Sequence, residues 1–174
     1  LKSGLPNYAG KIGFTLSPQK PDVLYASIEL EKRNGAVYKS EDRGSSWKKM
    51  SDLSLGYGTG PHYYQELFAS PHKFDRLYLM NVRILTSEDG GKTFVELTER
   101  SKHSDNHAIA FREDDPNYLL VGTDAGIYES FDLAKTWKYH KNLPITQFYK
   151  VAVNNAYPFY HIFGGTQDNG SAGG

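Results

Sequence analysis

The sequence predicts an all-β protein that is built as a partial β-propeller. A motif of the form Ser-x-Asp-x-Gly-x-Ser/Thr-aromatic occupies residues 40–47 and 87–94, and residues 130–137 repeat it with Ala134 in place of the glycine. The copies lie about 45 residues apart, which is the period of a repeat architecture. Between them, short segments of strand-forming residues are separated by Gly, Asn, Asp and Pro, as in antiparallel sheets. Four short strands per repeat are typical of a propeller blade.

The repeated motif is interpreted as a hairpin turn between the third and fourth strand of each unit. Its aspartate accepts backbone N–H bonds from residues further along the turn, and the glycine supplies a positive φ. The alternative is a calcium loop, but the remaining acidic ligands and the late glutamate of such a loop are missing. The residues given a structural role are Ser40, Asp42, Gly44, Trp47, Ser87, Asp89, Gly91, Phe94, Ser130, Asp132 and Trp137.

Each unit is predicted to contain strands A to D in chain order. The first unit has them at residues 12–16, 22–28, 36–39 and 47–50. The second unit has them at 65–69, 76–80, 83–86 and 94–97, and the third at 108–111, 118–122, 126–129 and 137–140.

A fourth unit supplies only strands A and B, at 149–153 and 160–164, before a predicted B–C turn at 165–170. The blades therefore run over about 11–50, 64–97, 107–140 and, incompletely, 148–174, within a single domain of residues 1–174. Because an open blade leaves strand edges unpaired, we expect a fragment of a larger propeller. A β-sandwich and a small four-bladed ring remain the structural alternatives.

Composition excludes several classes of protein. The 174 residues include 20 basic and 20 acidic side chains, so charge gives no reason to expect nucleic acid or an anionic membrane as a partner. There is no cysteine, which excludes disulfides and thiolate metal sites. No apolar run approaches the ~18 residues of a membrane span, and no signal peptide is visible. We expect no cofactor and no metal.

Chain direction predicts where a ligand site lies. In an up-and-down blade, the B–C turns and the D–A connections emerge on the face opposite the aspartate turns. The D–A connections are residues 51–64, 98–107 and 141–148, and ligand sites favour such concave, convergent places.

The densest polar cluster is His103-Ser104-Asp105-Asn106-His107. At strand period, His103, Asp105 and His107 share one side. A metal site, an acid–base site, and a set of hydrogen bonds between loops or to a ligand all remain open for it.

The candidate residues fall into two groups. The aromatic rings of the connection 51–64 either stack on a pyranose or a peptide, or pack beneath their own loop. Residues 167–169 either bind sugar hydroxyls or form a tight turn with Gly170. Glycoside hydrolysis requires two carboxylates about 5–10 Å apart, and Asp105, Asp124 and Asp168 are the acids to test. The candidate catalytic residues are Asp105, His107 and Asp168, and the candidate ligand-binding residues are Tyr63, Tyr64, Asn106, Asp124, Gln167 and Asn169.

The aspartate turns, the Ser-Pro or Asp-Pro after strand A and the blade period resemble the Asp-box (BNR) repeat propellers. That group includes sialidases, xyloglucanase-type glycosidases and sortilin-type propellers. Residues 61–65, 105–108 and 164–169 are similar to motifs of a bacterial sortilin-like group of large exported proteins, the BNR-repeat glycosyl hydrolases. The sequence has no Arg-Ile-Pro element, which argues against a sialidase, and the aspartate pair of the xyloglucanase type matches no position here.

The resemblance implies a secreted or periplasmic, carbohydrate-related protein, either glycoside hydrolase-like or glycan-binding. Its expected partners are carbohydrate or peptide and the remaining blades of the parent chain, with no nucleic acid and no membrane span. If the protein is an enzyme, this segment alone is expected to be inactive. The alternative is a sortilin-type scaffold that binds protein or peptide without catalysis, because one fold hosts many functions.

Overall fold

The structure is a computed structural model that describes residues 4–54, 64–143, 147–166 and 170–174. It divides into two compact units, Leu1–His140 and Lys141–Gly174. The first unit contains three four-stranded antiparallel sheets and the second contains one three-stranded antiparallel sheet. The prediction of one single domain stays a prediction.

In the first unit, every sheet follows the chain order of its strands. The first sheet consists of β1 (Ile12–Leu16), β2 (Leu24–Glu29), β3 (Asn34–Ser40) and β4 (Lys48–Ser54), with a 3-10 turn at Glu31–Arg33 between β2 and β3. The second sheet consists of β5 (Leu67–Ala69), β6 (Leu77–Leu79), β7 (Leu85–Ser87) and β8 (Val95–Glu96). The third consists of β9 (Asn106–Arg112), β10 (Asp115–Thr123), β11 (Gly126–Ser130) and β12 (Lys138–Tyr139).

The second unit has β13 (Phe148–Val153), β14 (Ile162–Thr166) and β15 (Ser171–Gly173). The sequence predicts only strands A and B here, and the third strand is a correction. β15 pairs with β14 through Gly165↔Ser171, Gly164↔Ala172 and Phe163↔Gly173. Small residues form the strand because its backbone groups complete the β14 ladder, although glycine and alanine are poor strand formers.

Another correction concerns β4, which continues to Ser54 although residues 51–64 were predicted as a connection. A register shift between Val37 and Tyr38 lets β4 stay paired with β3 as far as Asn34↔Ser54. Such a bulge adds one residue to a strand without ending the ladder. Ser51 and Asp52 are therefore in a strand.

The core of the first unit lies between its sheets and follows the alternation of side chains along each strand. Tyr25 and Val37 of the first sheet pack with Leu77 of the second. Tyr78 of the second sheet packs with Val121 of the third. Because neighbouring residues of β6 enter two different cores, all three residues of the strand are buried. Replacing Leu77 by alanine is expected to lower the free energy of unfolding by about 2–5 kcal/mol.

Each aspartate turn binds its own main chain. In the second copy, the Ser87 hydroxyl donates to Asp89 Oδ1 (2.8 Å) and accepts the N–H of Gly91 (2.9 Å). The N–H of Thr93 donates to Asp89 Oδ1 (2.9 Å) and its hydroxyl donates to Oδ2 (2.7 Å). The first and third copies form the equivalent bonds around Asp42 and Asp132. The turn therefore occupies both oxygens of its carboxylate.

Two consecutive residues of each turn have a positive φ, where the sequence predicts one. The pairs are Arg43 and Gly44, Gly90 and Gly91, and Leu133 and Ala134. An L-residue in this left-handed region costs roughly 1–2 kcal/mol, so the third turn has the most strained backbone. Its side-chain bonds are nevertheless complete.

Among the residues that the structure describes, no helix has the length and apolar content required to cross a membrane.

We predict that Ser87→Ala destabilises the protein by about 1–3 kcal/mol, because the buried N–H of Gly91 loses its acceptor. Urea unfolding followed by circular dichroism measures the difference. The control is Ser45→Ala, at an exposed residue of the first turn, which is expected to change stability by less than about 0.5 kcal/mol. Equal effects of the two substitutions would contradict the proposed role of the Ser87 hydroxyl.

A pH dependence follows from Asp89. Burial alone raises the pKa of this carboxyl, but bonds from Thr93 and Ser87 outweigh burial and lower the pKa to about 2. The unfolded value is about 3.9, so the carboxylate contributes stability above that pH and loses it as pH falls towards 2. We expect the stability difference between the wild type and Asp89→Asn to be largest near pH 5 and to shrink towards pH 2. A difference that stays constant over this range would refute the assignment.

Candidate functional site

The candidate site lies where three chain connections of the first unit meet. The N–H of Asp105, between β8 and β9, donates to the carbonyl of Val82 in the β6–β7 connection (2.9 Å). The N–H of Asp124, between β10 and β11, donates to the carbonyl of Asp105 (3.2 Å). The B–C turns and the D–A connection of these sheets thus share one end of the unit, as chain direction predicts. We call the group His103, Asp105, His107 and Asp124 the His107 site.

His107 and Asp124 form the most open pair of the His107 site. The two side chains are 39% and 41% exposed, and His107 Nε2 lies 2.7 Å from Asp124 Oδ1. A carboxylate at this distance accepts a hydrogen bond from the imidazole and so orients the ring. An oriented and accessible imidazole can donate or accept a proton or a hydrogen bond.

Asp105 is the second carboxylate of the His107 site and is held by two hydroxyl donors. Tyr64 donates to Oδ1 (2.7 Å) and Ser104 donates to Oδ2 (2.8 Å). His103 Nδ1 lies 3.9 Å from Oδ2. Partial burial raises the pKa of Asp105, but the hydroxyl donors and the two histidines outweigh burial and lower it. These donors therefore favour the charged form of Asp105, in which the carboxylate accepts hydrogen bonds.

Tyr64 supports the His107 site from beneath. Its ring is stacked on the His107 imidazole, with 5.3 Å between ring centroids and 16° between planes, and the residue is buried. The ring was predicted to contact a ligand. The structure places it against Asp105 and His107, where it positions both.

Asn106 is completely buried, although it was predicted to contact a ligand. Its side-chain amide donates to the carbonyls of Asn81 (3.1 Å) and Val82 (3.0 Å) and to Glu99 Oε1 (2.9 Å). Its carbonyl oxygen accepts a bond from Lys102. All of these partners are internal, so Asn106 anchors the chain between Asp105 and His107.

Sequence reasoning missed a buried ion pair under the same connection. The Lys102 ammonium lies 2.7 Å from Glu99 Oε1, and the side chains are 0% and 1% exposed. Lys102 also donates to the carbonyl of His103 (2.9 Å), and its ammonium lies over the ring of Trp137 at 5.4 Å. Burial lowers the pKa of Lys102 against the opposing effect of Glu99. Sequence alone predicts that a lysine and a glutamate in a polar connection are exposed to solvent, and the spacing of Glu99 and Lys102 does not indicate that they are buried.

One expectation about this segment changes with the structure. Residues 103–107 do not share a strand period, because Asp105 has φ +61° and β9 begins only at Asn106. Within the described ranges, no group of three His, Asp or Glu side chains is arranged to hold a metal ion. Four candidates, Tyr63, Gln167, Asp168 and Asn169, lie outside the described residues.

No protein-family model matches the chain, and no curated protein matches it. Solved structures are similar to it in fold. A GH74 enzyme from Niastella koreensis matches with a TM-score of 0.60 and 17% identity over 92% of this chain and 27% of that chain. A GH74 xyloglucanase from Xanthomonas campestris matches with a TM-score of 0.61 and 17% identity over 92% and 27%.

YCF48 from Cyanidioschyzon merolae matches with a TM-score of 0.57 and 15% identity over 95% of this chain and 52% of that chain. The chain thus spans about a quarter to a half of the length of these proteins. They are β-propellers, so the sheets described above are propeller blades and the predicted fold class is confirmed. At these identities the likeness concerns the fold alone.

We predict that Lys102→Met destabilises the protein by about 3 kcal/mol, because the buried carboxylate of Glu99 loses its principal partner. Arg83, at 3.4 Å and half exposed, replaces only part of the lost interaction. Chemical denaturation provides the measurement.

Two further variants test the Lys102 prediction. Adding Glu99→Leu to Lys102→Met is expected to recover much of the loss, because apolar replacements of buried pairs are tolerated. Lys135→Met, at an exposed lysine, serves as the control. A Lys102→Met variant as stable as this control would show that the pair does not hold the connection.

Proposed function

We propose that the chain is part of an exported Asp-box propeller protein, of the BNR or sortilin-like kind, whose His107 site binds carbohydrate. The observation that carries the proposal is the open His107–Asp124 pair beside the ionised Asp105. Carboxylates accept hydrogen bonds from sugar hydroxyls, and imidazoles donate or accept them. A partly exposed cluster of such groups on loops that rigid sheets position is the usual form of a binding site.

The likeness in fold to a GH74 xyloglucanase supports the carbohydrate class of ligand. The turns around Asp42, Asp89 and Asp132, with their repeated Ser and Ser/Thr bonds, support the Asp-box assignment. Export and a secreted or periplasmic location are proposed from that resemblance.

Binding is favoured over hydrolysis by the described part of the His107 site. Hydrolysis of a glycoside needs one carboxyl group that stays protonated as the general acid, together with a second carboxylate. The lowered pKa of Asp105 favours its charged form over the protonated form that a general acid needs. The proposal is therefore glycan binding, and a hydrolytic role requires an acid supplied by another residue.

The test is isothermal titration of the whole chain with xyloglucan oligosaccharides. We expect binding that weakens at least about tenfold in Asp124→Asn and in His107→Ala, since one hydrogen bond to a charged group contributes about 1.5–3 kcal/mol. The matched control is Asp114→Asn, at an exposed aspartate that pairs with Arg112 outside the His107 site.

Two outcomes would oppose this proposal. Absence of binding to xyloglucan and to other neutral glycans would remove the carbohydrate function and favour the sortilin-type peptide scaffold. Binding that both site variants retain would move the glycan away from the His107 site. Release of reducing ends in the same mixtures separates hydrolysis from binding.

A further inference from the structure

One face of the first sheet is apolar and open, and we call it the front face. Every second side chain of β1 points to this face, and Ile12, Phe14 and Leu16 are 51%, 54% and 55% exposed. The rings of Phe14 and Trp47 lie 6.5 Å apart, centroid to centroid. Strand pairing places a small buried cluster on the same face, made of Ala26, Ile28, Ala36 and Tyr38.

The strand registers identify the residues that hold the position of Phe14 in the other two sheets. Counted from the serine of each aspartate turn, these are Leu67 in the second sheet and Ile109 in the third. Leu67 is 3% exposed in the core shared with the first sheet, and Ile109 is 6% exposed in the core shared with the second. The same position is therefore covered by a neighbouring sheet in two blades and open in the first.

The aromatic residue at the end of each aspartate turn shows the same contrast. Phe94 packs against the core between the first and second sheets, and Trp137 packs against the core between the second and third. Trp47 holds this position in the first sheet. Among the described residues, the cluster that Trp47 joins contains only residues 26–47, so no second sheet contributes to it.

The open front face is a surface for association. Contiguous exposed apolar side chains mark sites where another protein surface packs. Two sheets that pack face to face bury their facing side chains between them, which is how the two covered front faces of this unit are buried. The occupant that fits the front face of the first sheet is therefore another sheet.

The two covering surfaces show what such a sheet presents. Tyr25 in β2 covers the second sheet, and Tyr78 in β6 covers the third. These tyrosines are 1% and 2% exposed. Each is surrounded by apolar side chains of its own sheet, which are Val23 and Val37 in the first and Met80 and Ile84 in the second. We call this tyrosine-bearing surface the back face of a blade.

A polar contact accompanies the apolar packing. The Tyr25 hydroxyl donates to Asp75 in the β5–β6 connection of the sheet that it covers. Asp22 holds the position of Asp75 in the first sheet, because the carbonyl of each accepts an N–H from the aspartate turn of its own sheet. One oxygen of Asp22 bonds Arg43, and the side chain is 56% exposed. Asp22 is thus placed to accept a tyrosine hydroxyl from a covering sheet.

We propose that the front face of the first sheet is the docking surface for another Asp-box blade of the longer parent protein. The back face of that blade presents a tyrosine among apolar side chains. These side chains bury Phe14 and Leu16, and the tyrosine hydroxyl donates to Asp22. The inference rests on the proposal that the chain is part of a larger Asp-box propeller, and it does not depend on glycan binding.

The experiment is hydroxyl-radical labelling of the parent protein and of this chain alone, with mass spectrometry of each labelled side chain. In the parent, labelling of Phe14 is expected to fall about ninefold, because a facing sheet lowers its exposure from 54% towards the 6% of Ile109. Val95 is the internal reference. It is 61% exposed although both faces of its sheet are covered, so its labelling is expected to be equal in the two proteins.

The variant Phe14→Lys tests the surface directly. In the parent it is expected to raise the labelling of Leu16 severalfold, because a lysine ammonium resists burial between two sheets. The matched control is Val95→Lys, which is expected to leave the labelling of Leu16 unchanged. In the chain alone, Phe14→Lys is expected to leave Leu67 protected, which verifies that the first unit remains folded.

Three results would overturn the proposal. Equal labelling of Phe14 in the parent and in the chain alone would show that no blade covers this face. Loss of Phe14 labelling in the chain alone as its concentration rises would assign the face to a second copy. A parent reading frame without a further Asp-box unit would remove the occupant. Protection of Phe14 in a parent that binds no glycan would keep the docking surface and reject only the carbohydrate function.

Discussion

The first unit depends on the burial of both faces of its middle sheet. Leu77 and Leu79 of β6 enter the core shared with the first sheet, and Tyr78 enters the core shared with the third. A strand of only three residues is stable there because every side chain is enclosed, and not because its ladder is long. The same constraint fixes the register, since a slip by one residue would exchange the two faces.

The aspartate turns allow the sheets to approach closely without leaving polar groups unpaired. Each turn satisfies its carboxylate and its tightest N–H groups internally, so these groups need no partner from the neighbouring sheet. The carbonyl of Gly91 is still free to accept a bond from Ser51 of the first sheet. This self-sufficiency also explains why the third copy tolerates Leu133 and Ala134 at positive φ. The four side-chain bonds around Asp132 compensate a backbone conformation that costs a few kcal/mol.

The fold was predictable from sequence because its signals are local and repeated. Alternating strands, a turn motif and a period of about 45 residues each identify a blade without any knowledge of distant contacts. The third strand of the second unit was missed because Ser171, Ala172 and Gly173 have no strand propensity of their own. They are a strand only through pairing with β14.

The candidate site was predictable only in part, for a related reason. Chain direction brought Asp105, His107 and Asp124 to one end of the unit, but it does not distinguish exposed from buried side chains. Tyr64 and Asn106 are buried, and tertiary packing alone buries the pair that Glu99 and Lys102 form. Burial depends on what the neighbouring sheets place above a residue, and here the rings of Tyr128 and Trp137 cover the ammonium.

The buried Glu99–Lys102 pair contributes geometry to the His107 site. Taking two charges out of water is costly, and an apolar pair is often at least as stable. The ion pair instead fixes the geometry of the connection, because Lys102 donates to Glu99, to Asn106 and to the carbonyl of His103 at the same time. These bonds determine the path of the chain through Asp105. The left-handed backbone of Asp105 interrupts the strand, so that His103 and His107 do not lie on one strand face. Side chains on a loop are positioned more accurately when buried polar bonds fix that loop, and Lys102 fixes the loop of the His107 site in this way.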